Sequence, residues 1–143
     1  MENSLMTLKY HVSPTDFTRA GEASSDVKNK LKKLGVPPEI IRKVAIAMYE
    51  GEINMVIHAN GGDISVDITP DTIHMELKEV GPGIVDIDKA MQAGYSTAPD
   101  DVRSLGFGAG MGLPNMKKNS DTMDIQTILG KGTTVTMTVN MPE

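Results

Sequence analysis

"VPPEIIRKVAIAMYEGEINMVIHANGG", residues 36–62, decides how the rest of the chain is read. It predicts one long helix. Pro37 and Pro38 sit at its start, Glu39 suits its first turn, and Gly61 and Gly62 end it. Within it Glu50, Asn54 and His58 recur every four residues. Each step of four turns a helix by about 400°, so the three form one slowly drifting ridge. The surroundings are apolar: Ile40, Ile41, Val44, Ala45, Ile46, Ala47 and Met48, then Ile53, Met55, Val56 and Ile57. Such a pattern fits a helix buried on two sides whose third side lines a polar cavity. It equally fits an exposed stripe near a helix end, widened by Glu52, and spacing leaves the two readings open. Gly51 inside the helix costs ~1 kcal/mol against alanine. A close-packed neighbour or a ligand would account for it.

Outward from this helix the period changes. "LMTLKYHVS" (5–13) reads as a strand with Met6, Leu8, Tyr10 and Val12 on one face. Residues 13–35 read as a helix, with Ser13 and Pro14 as cap and first position and Gly35 as its stop. "DISVDIT" (63–69) and "TIHMELKEV" (72–80) alternate, and Pro70-Asp71 joins them as a hairpin. "IVDIDKAMQAG" (84–94) predicts a short helix. Residues 121–129 and 133–140 predict two more strands around the turn 130–132. The order is β-α-α-β-β-α-loop-α-β-β. It predicts an α+β fold: a two-layer α/β sandwich with a mixed, mainly antiparallel sheet and its helices on one face.

A chain of 143 residues argues for one domain, 1–143. Two Phe, three Tyr and no Trp leave an aliphatic core padded with some of the eleven methionines. So few rings, with a net charge of −5, argue against a nucleic-acid binder. Without cysteine there is no disulfide, thiolate metal site or thiol nucleophile. No apolar run approaches the ~20 residues of a membrane span. The first residues carry neither a basic nor an apolar leader segment. A cytoplasmic setting fits all of this.

Two glycine clusters remain: "EVGPGIVDIDKAMQAGYST" (79–97) and "SLGFGAGMGLPNMKK" (104–118). Neither is a P-loop, because "GKGTT" has Gly132 directly after Lys131. Neither has the glycine spacing of a dinucleotide fingerprint. Yet Gly106, Gly108, Gly110 and Gly112 alternate just ahead of "LPNMKK". Such a loop can turn its N–H groups toward phosphate oxygens.

Taken in order, these elements are an acid-x-x-x-Asn helix, acid-x-Gly-x-Gly after a strand, a hydroxyl-bearing loop, Gly-x-Gly-x-Gly, and a late Gly-x-Gly-Thr. The set resembles the GHKL (Bergerat) ATP-binding fold of histidine kinases, DNA gyrase, a heat-shock chaperone family and MutL mismatch-repair proteins. Within it, the stand-alone serine/threonine kinases that regulate bacterial sigma factors look most similar. The matching stretches are 50–59, 79–97, 106–118 and 130–137, and the resemblance runs from about residue 5 to the end.

That resemblance implies ATP and Mg²⁺ as cofactors and a role for each matching position. Asn54 would ligate Mg²⁺, and Glu50 would orient or deprotonate the attacking hydroxyl. Glu79 stands where the family has an aspartate that accepts from the adenine amino group; it keeps the carboxylate and adds a methylene. Gly81 and Gly83 would let the backbone pass close to the base. The lid, about Gly94 to Gly112, would carry Tyr95, Ser96 and Thr97 and close over the phosphates. Gly108, Ala109, Gly110, Met111 and Gly112 would contact them. Thr133 would sit near the adenine pocket. Arg103 and Lys117 are both candidates for the cation beside the γ-phosphate.

A histidine autokinase needs an acceptor histidine on a separate helix pair. His11 and His74 lie in predicted strands and His58 ends the long helix, so the acceptor belongs to a partner. In the resembling family that is a serine or threonine on a STAS-type antagonist, and a sigma factor is a second partner. The family often forms homodimers. Two functions compete: a serine/threonine kinase acting on such a partner, and a nucleotide-loaded anti-sigma or partner-binding module with little catalysis. A weak stand-alone ATPase, or a histidine-kinase remnant acting in trans, ranks below both.

Overall fold

The computed structural model describes residues 5–13, 19–57, 61–81 and 112–142. In chain order the elements are β1 (Met6–Val12), α1 (Glu22–Lys33), α2 (Pro38–Ile57), β2 (Gly62–Ile68), β3 (Thr72–Val80), α3 (Gly112–Lys118), β4 (Thr122–Ile128) and β5 (Gly132–Asn140). The strands form one five-stranded sheet in the order β1-β2-β3-β5-β4. Every pairing among them is antiparallel. The helix expected at 84–94 lies outside the described residues.

Alternation fixes which side of the sheet is buried. Ile64, Val66 and Ile68 of β2, Ile73, Met75 and Leu77 of β3, and Val135, Met137 and Val139 of β5 all point to the helical side. The register stacks them in cross-strand rows such as Ile64–Leu77–Val135–Ile125. The other face carries Lys9, His11, His74, Lys78 and Asp124 in solvent, so only one side needs covering. Among the described residues, three helices cover it. α1 presents Ala23, Val27 and Leu31 at four-residue spacing, and α2 presents Ile41, Val44, Met48 and Met55. The methionines do fill this core: Met48, Met55, Met75, Met116 and Met137 are fully buried.

Gly51 marks where α2 crosses the sheet. A Cβ there would overlap the Leu77 side chain of β3 and press on Met116 of α3. Close packing, then, accounts for a glycine inside a helix. Gly35, at φ 77°, stops α1 as expected. The start of α1 does not follow the expectation. Ser13 lies outside the helix, and a turn over Arg19–Gly21 precedes Glu22, so the Ser13-Pro14 cap is replaced by Gly21 in the left-handed conformation. Glycine has no side chain to hold the first N–H groups of the helix, and that need is met from elsewhere in the fold.

Candidate functional site

The long helix keeps its two leading polar residues off the core. Glu50 and Asn54 are both half-buried on the side of α2 that faces α3. α3 is short, and its outer end is tied down by its own sequence. Asn119 Nδ2 donates to the Asn115 carbonyl at 2.9 Å, and Ser120 Oγ to the Met116 carbonyl at 2.8 Å. From this anchored turn two consecutive side chains reach α2. Asn115 Nδ2 donates to Glu50 Oε2 at 3.4 Å, and Asn54 Nδ2 points at Met116 Sδ at 3.9 Å. The Asn54 amide nitrogen is therefore turned to a weak thioether acceptor, leaving Oδ1 as the atom a hard cation would use. Among the described residues no group of three His, Asp or Glu could hold a metal alone. A cation at Asn54 would have to complete its shell with water and ligand oxygens, which is the habit of magnesium.

Glu79 lies one inward position beyond Leu77, the residue under Gly51. It continues the row Ile73–Met75–Leu77 to the end of β3. Its neighbours across the sheet are Gly62 on β2 and Thr133 on β5. Thr133 is buried, and its hydroxyl shares a 3.0 Å hydrogen bond with Thr127 of β4. Burial pushes the Glu79 carboxyl up to about 7. Gly81 follows, its N–H donating to the Lys131 carbonyl at 3.1 Å. The structure thus brings Glu50 to Asn54 and Glu79 to Thr133. Gly83, Tyr95, Ser96, Thr97, Gly108, Ala109, Gly110 and Met111 lie outside the described residues, as do His58 and Arg103. Gly112 is the first residue of α3.

The structure decides against one of the two open readings, that of Glu52 in an exposed stripe, and adds Asn115, which the sequence did not single out. Glu52 is not part of an exposed stripe: it is 3% exposed, on the α1 side of α2. Its Oε2 accepts from the backbone N–H of Gly21 at 3.0 Å and Ala23 at 3.1 Å, and Oε1 from Ser24 at 3.1 Å. It supplies the N-terminal cap that Gly21 cannot. The signal was there, because Glu52 falls at four-residue spacing between Met48 and Val56, both buried. Asn115 had no such signal, since its partner is 65 residues away.

A cavity of about 390 Å³ lies where β1, the start of α1 and α2 meet, lined by Tyr10, Arg19, Asp26 and Glu52 among others. Several of its polar groups are already engaged. Tyr10 Oη donates to Asp26 at 2.6 Å, Arg19 pairs with Glu22, and Glu52 caps α1. Burial, then Asp26, holds the Tyr10 hydroxyl far above its usual range. This cavity contains neither Glu50 nor Asn54. His11 and His74 sit exposed on the outer face against Asp63 and Thr138, ordinary strand histidines as expected.

The chain has relatives among known proteins. Residues 13–139 match the model of the histidine kinase-like ATPase domain. The chain belongs to that family. It is 30% identical over 112 residues to the serine/threonine-protein kinase RsbT of Bacillus subtilis, covering 76% of this chain and 78% of that one. It is 33% identical over 105 residues to the anti-sigma F factor of Caldanaerobacter subterraneus, covering 70% of each. Among solved structures it is similar in fold to a chain in the SiaB-SiaC complex of Pseudomonas aeruginosa. That match has a TM-score of 0.59 and 12% identity over 96% of this chain and 90% of that one.

Proposed function

We propose that this protein is an ATP- and Mg²⁺-dependent serine/threonine kinase. Its substrate is a hydroxyl of a STAS-type antagonist in a sigma-factor pathway, and a cytoplasmic setting belongs to the same reading. One observation carries it. In a chain of the ATPase family, α2 offers Glu50 and Asn54 half-buried and side by side, held among the described residues by side chains of α3. A residue spent on structure looks like Glu52; these two are not spent. The relatives named as a serine/threonine kinase and as anti-sigma F factors support the reaction class and the kind of pathway.

In this reading Glu79 accepts from the adenine edge, with Thr133 beside it, and the glycine-rich stretch through Gly108 and Gly110 contacts the phosphates. Asn54 Oδ1 would hold Mg²⁺, which would neutralise charge on the phosphate oxygens. Glu50 orients the acceptor hydroxyl and takes its proton as the oxygen attacks the γ-phosphorus. The bond from that phosphorus to the bridging oxygen breaks, and ADP leaves with the electron pair.

Labelled ATP, Mg²⁺ and STAS proteins encoded beside this chain test the proposal. Transfer to a serine or threonine that is lost in Glu50→Gln supports it. Bound ATP with no transfer to any such protein overturns it. If Glu50→Gln also keeps full affinity for the partner, nucleotide-dependent binding is the activity instead.

A further inference from the structure

The catalytic assignment leaves one question open on the page: what aims Glu50. A glutamate on a helix surface has three side-chain torsions to fix. Among the described residues the side-chain donor to it is Asn115, at 3.4 Å from Oε2. Asn115 is itself well placed to aim something. Its backbone carbonyl is fixed by Asn119, its neighbour Met116 is 1% exposed and wedged beside Gly51, and the turn is closed by Ser120. The same two residues of α3 reach both site residues of α2, because Met116 Sδ faces Asn54 Nδ2.

We propose that Asn115 is a positioning residue for Glu50, engaging Oε2 from α3 so that Oε1 is left to face the acceptor hydroxyl. The proposal rests on the kinase reading. At 3.4 Å the bond is long, so its contribution is orientation more than strength. Orientation is what a general base needs, since a misplacement of about 1 Å can cost 10²-fold in rate. Met116 does the parallel task for Asn54 by occupying its amide nitrogen.

Asn115→Ala is expected to lower kcat by roughly 10- to 100-fold while ATP affinity, read by calorimetry, stays within about twofold of wild type. Asn115→Gln, which keeps a donor on a longer arm, recovers part of the loss. In a Glu50→Gln background Asn115→Ala adds nothing further, because the group it aims is gone. A readout independent of transfer is the Asn115 side-chain amide resonance, identified by its loss in Asn115→Ala. It moves in Glu50→Gln if the two groups touch. Wild-type kcat in Asn115→Ala, a loss that multiplies with Glu50→Gln, or an unmoved resonance each overturns the proposal. A resonance that moves in a protein that binds ATP and transfers to no STAS partner overturns the kinase reading, and the proposal with it.

Discussion

Glu50 and Glu52 are two residues apart on one helix and do opposite things. Two residues turn a helix by about 200°, so the pair faces opposite neighbours. Glu52 meets the N-terminus of α1 and is held by three backbone N–H groups in the core. Glu50 meets α3 and, among the described residues, is held by one long, part-buried side-chain bond. A carboxylate with its lone pairs filled by fixed backbone donors is a strut. One that meets, among the described residues, a single side-chain donor beside a half-buried amide is available for chemistry. The comparison teaches that acidity on a helix says little until the facing element is known.

The comparison can be broken in order of effect. Glu50→Gln should reduce phosphoryl transfer by roughly 10²- to 10⁴-fold and leave stability within about 0.5 kcal/mol; radiolabel transfer and thermal melting read the two. Glu52→Ala should do the reverse. It strands three N–H groups at the start of α1 and should cost about 3 kcal/mol, read by urea unfolding. A fully stable Glu52→Ala would contradict the strut. Gly51→Ala tests the crossing between the two carboxylates. Its Cβ must displace Leu77, so overpacking of about 1–3 kcal/mol outweighs the ~1 kcal/mol gained in helix propensity.

The smallest effect is on pH, through the third carboxylate. Unfolded, Glu79 titrates near 4.5, and burial raises it to about 7 in the fold. Between these values the folded chain keeps a proton that the unfolded chain has released. Stability from this group is therefore full below about 4.5 and falls as pH rises to about 7. Glu79→Gln should remove that slope, as denaturant titrations at several pH values would show. On the proposed reading ATP affinity moves the other way, strengthening as the carboxylate forms, and the same variant flattens that too.

Much of this was legible in the chain because it is local. Alternation at 63–69 and 72–80 with Pro70-Asp71 gave the hairpin within one residue. The prolines and glycines bounded α2, and the ridge of Glu50 and Asn54 on its polar side was visible from spacing alone. Local pattern failed where a distant group supplies the need. The start of α1 moved from Ser13 to Gly21 because the cap comes from Glu52, some thirty residues on. The place of β5 between β3 and β4 depends on a pairing across more than fifty residues, which no window contains. Asn115 belongs to the same class.

The central claim is that the edge of α2 and the end of β3 hold one magnesium-bound adenine nucleotide. Calorimetric titration of ATP with Mg²⁺ at pH 8, on the full chain and on Asn54→Ala, tests it most directly. The account predicts a single saturable site per chain whose magnesium dependence disappears in Asn54→Ala. No heat of binding at millimolar ATP, or identical binding and magnesium dependence in Asn54→Ala, would contradict it.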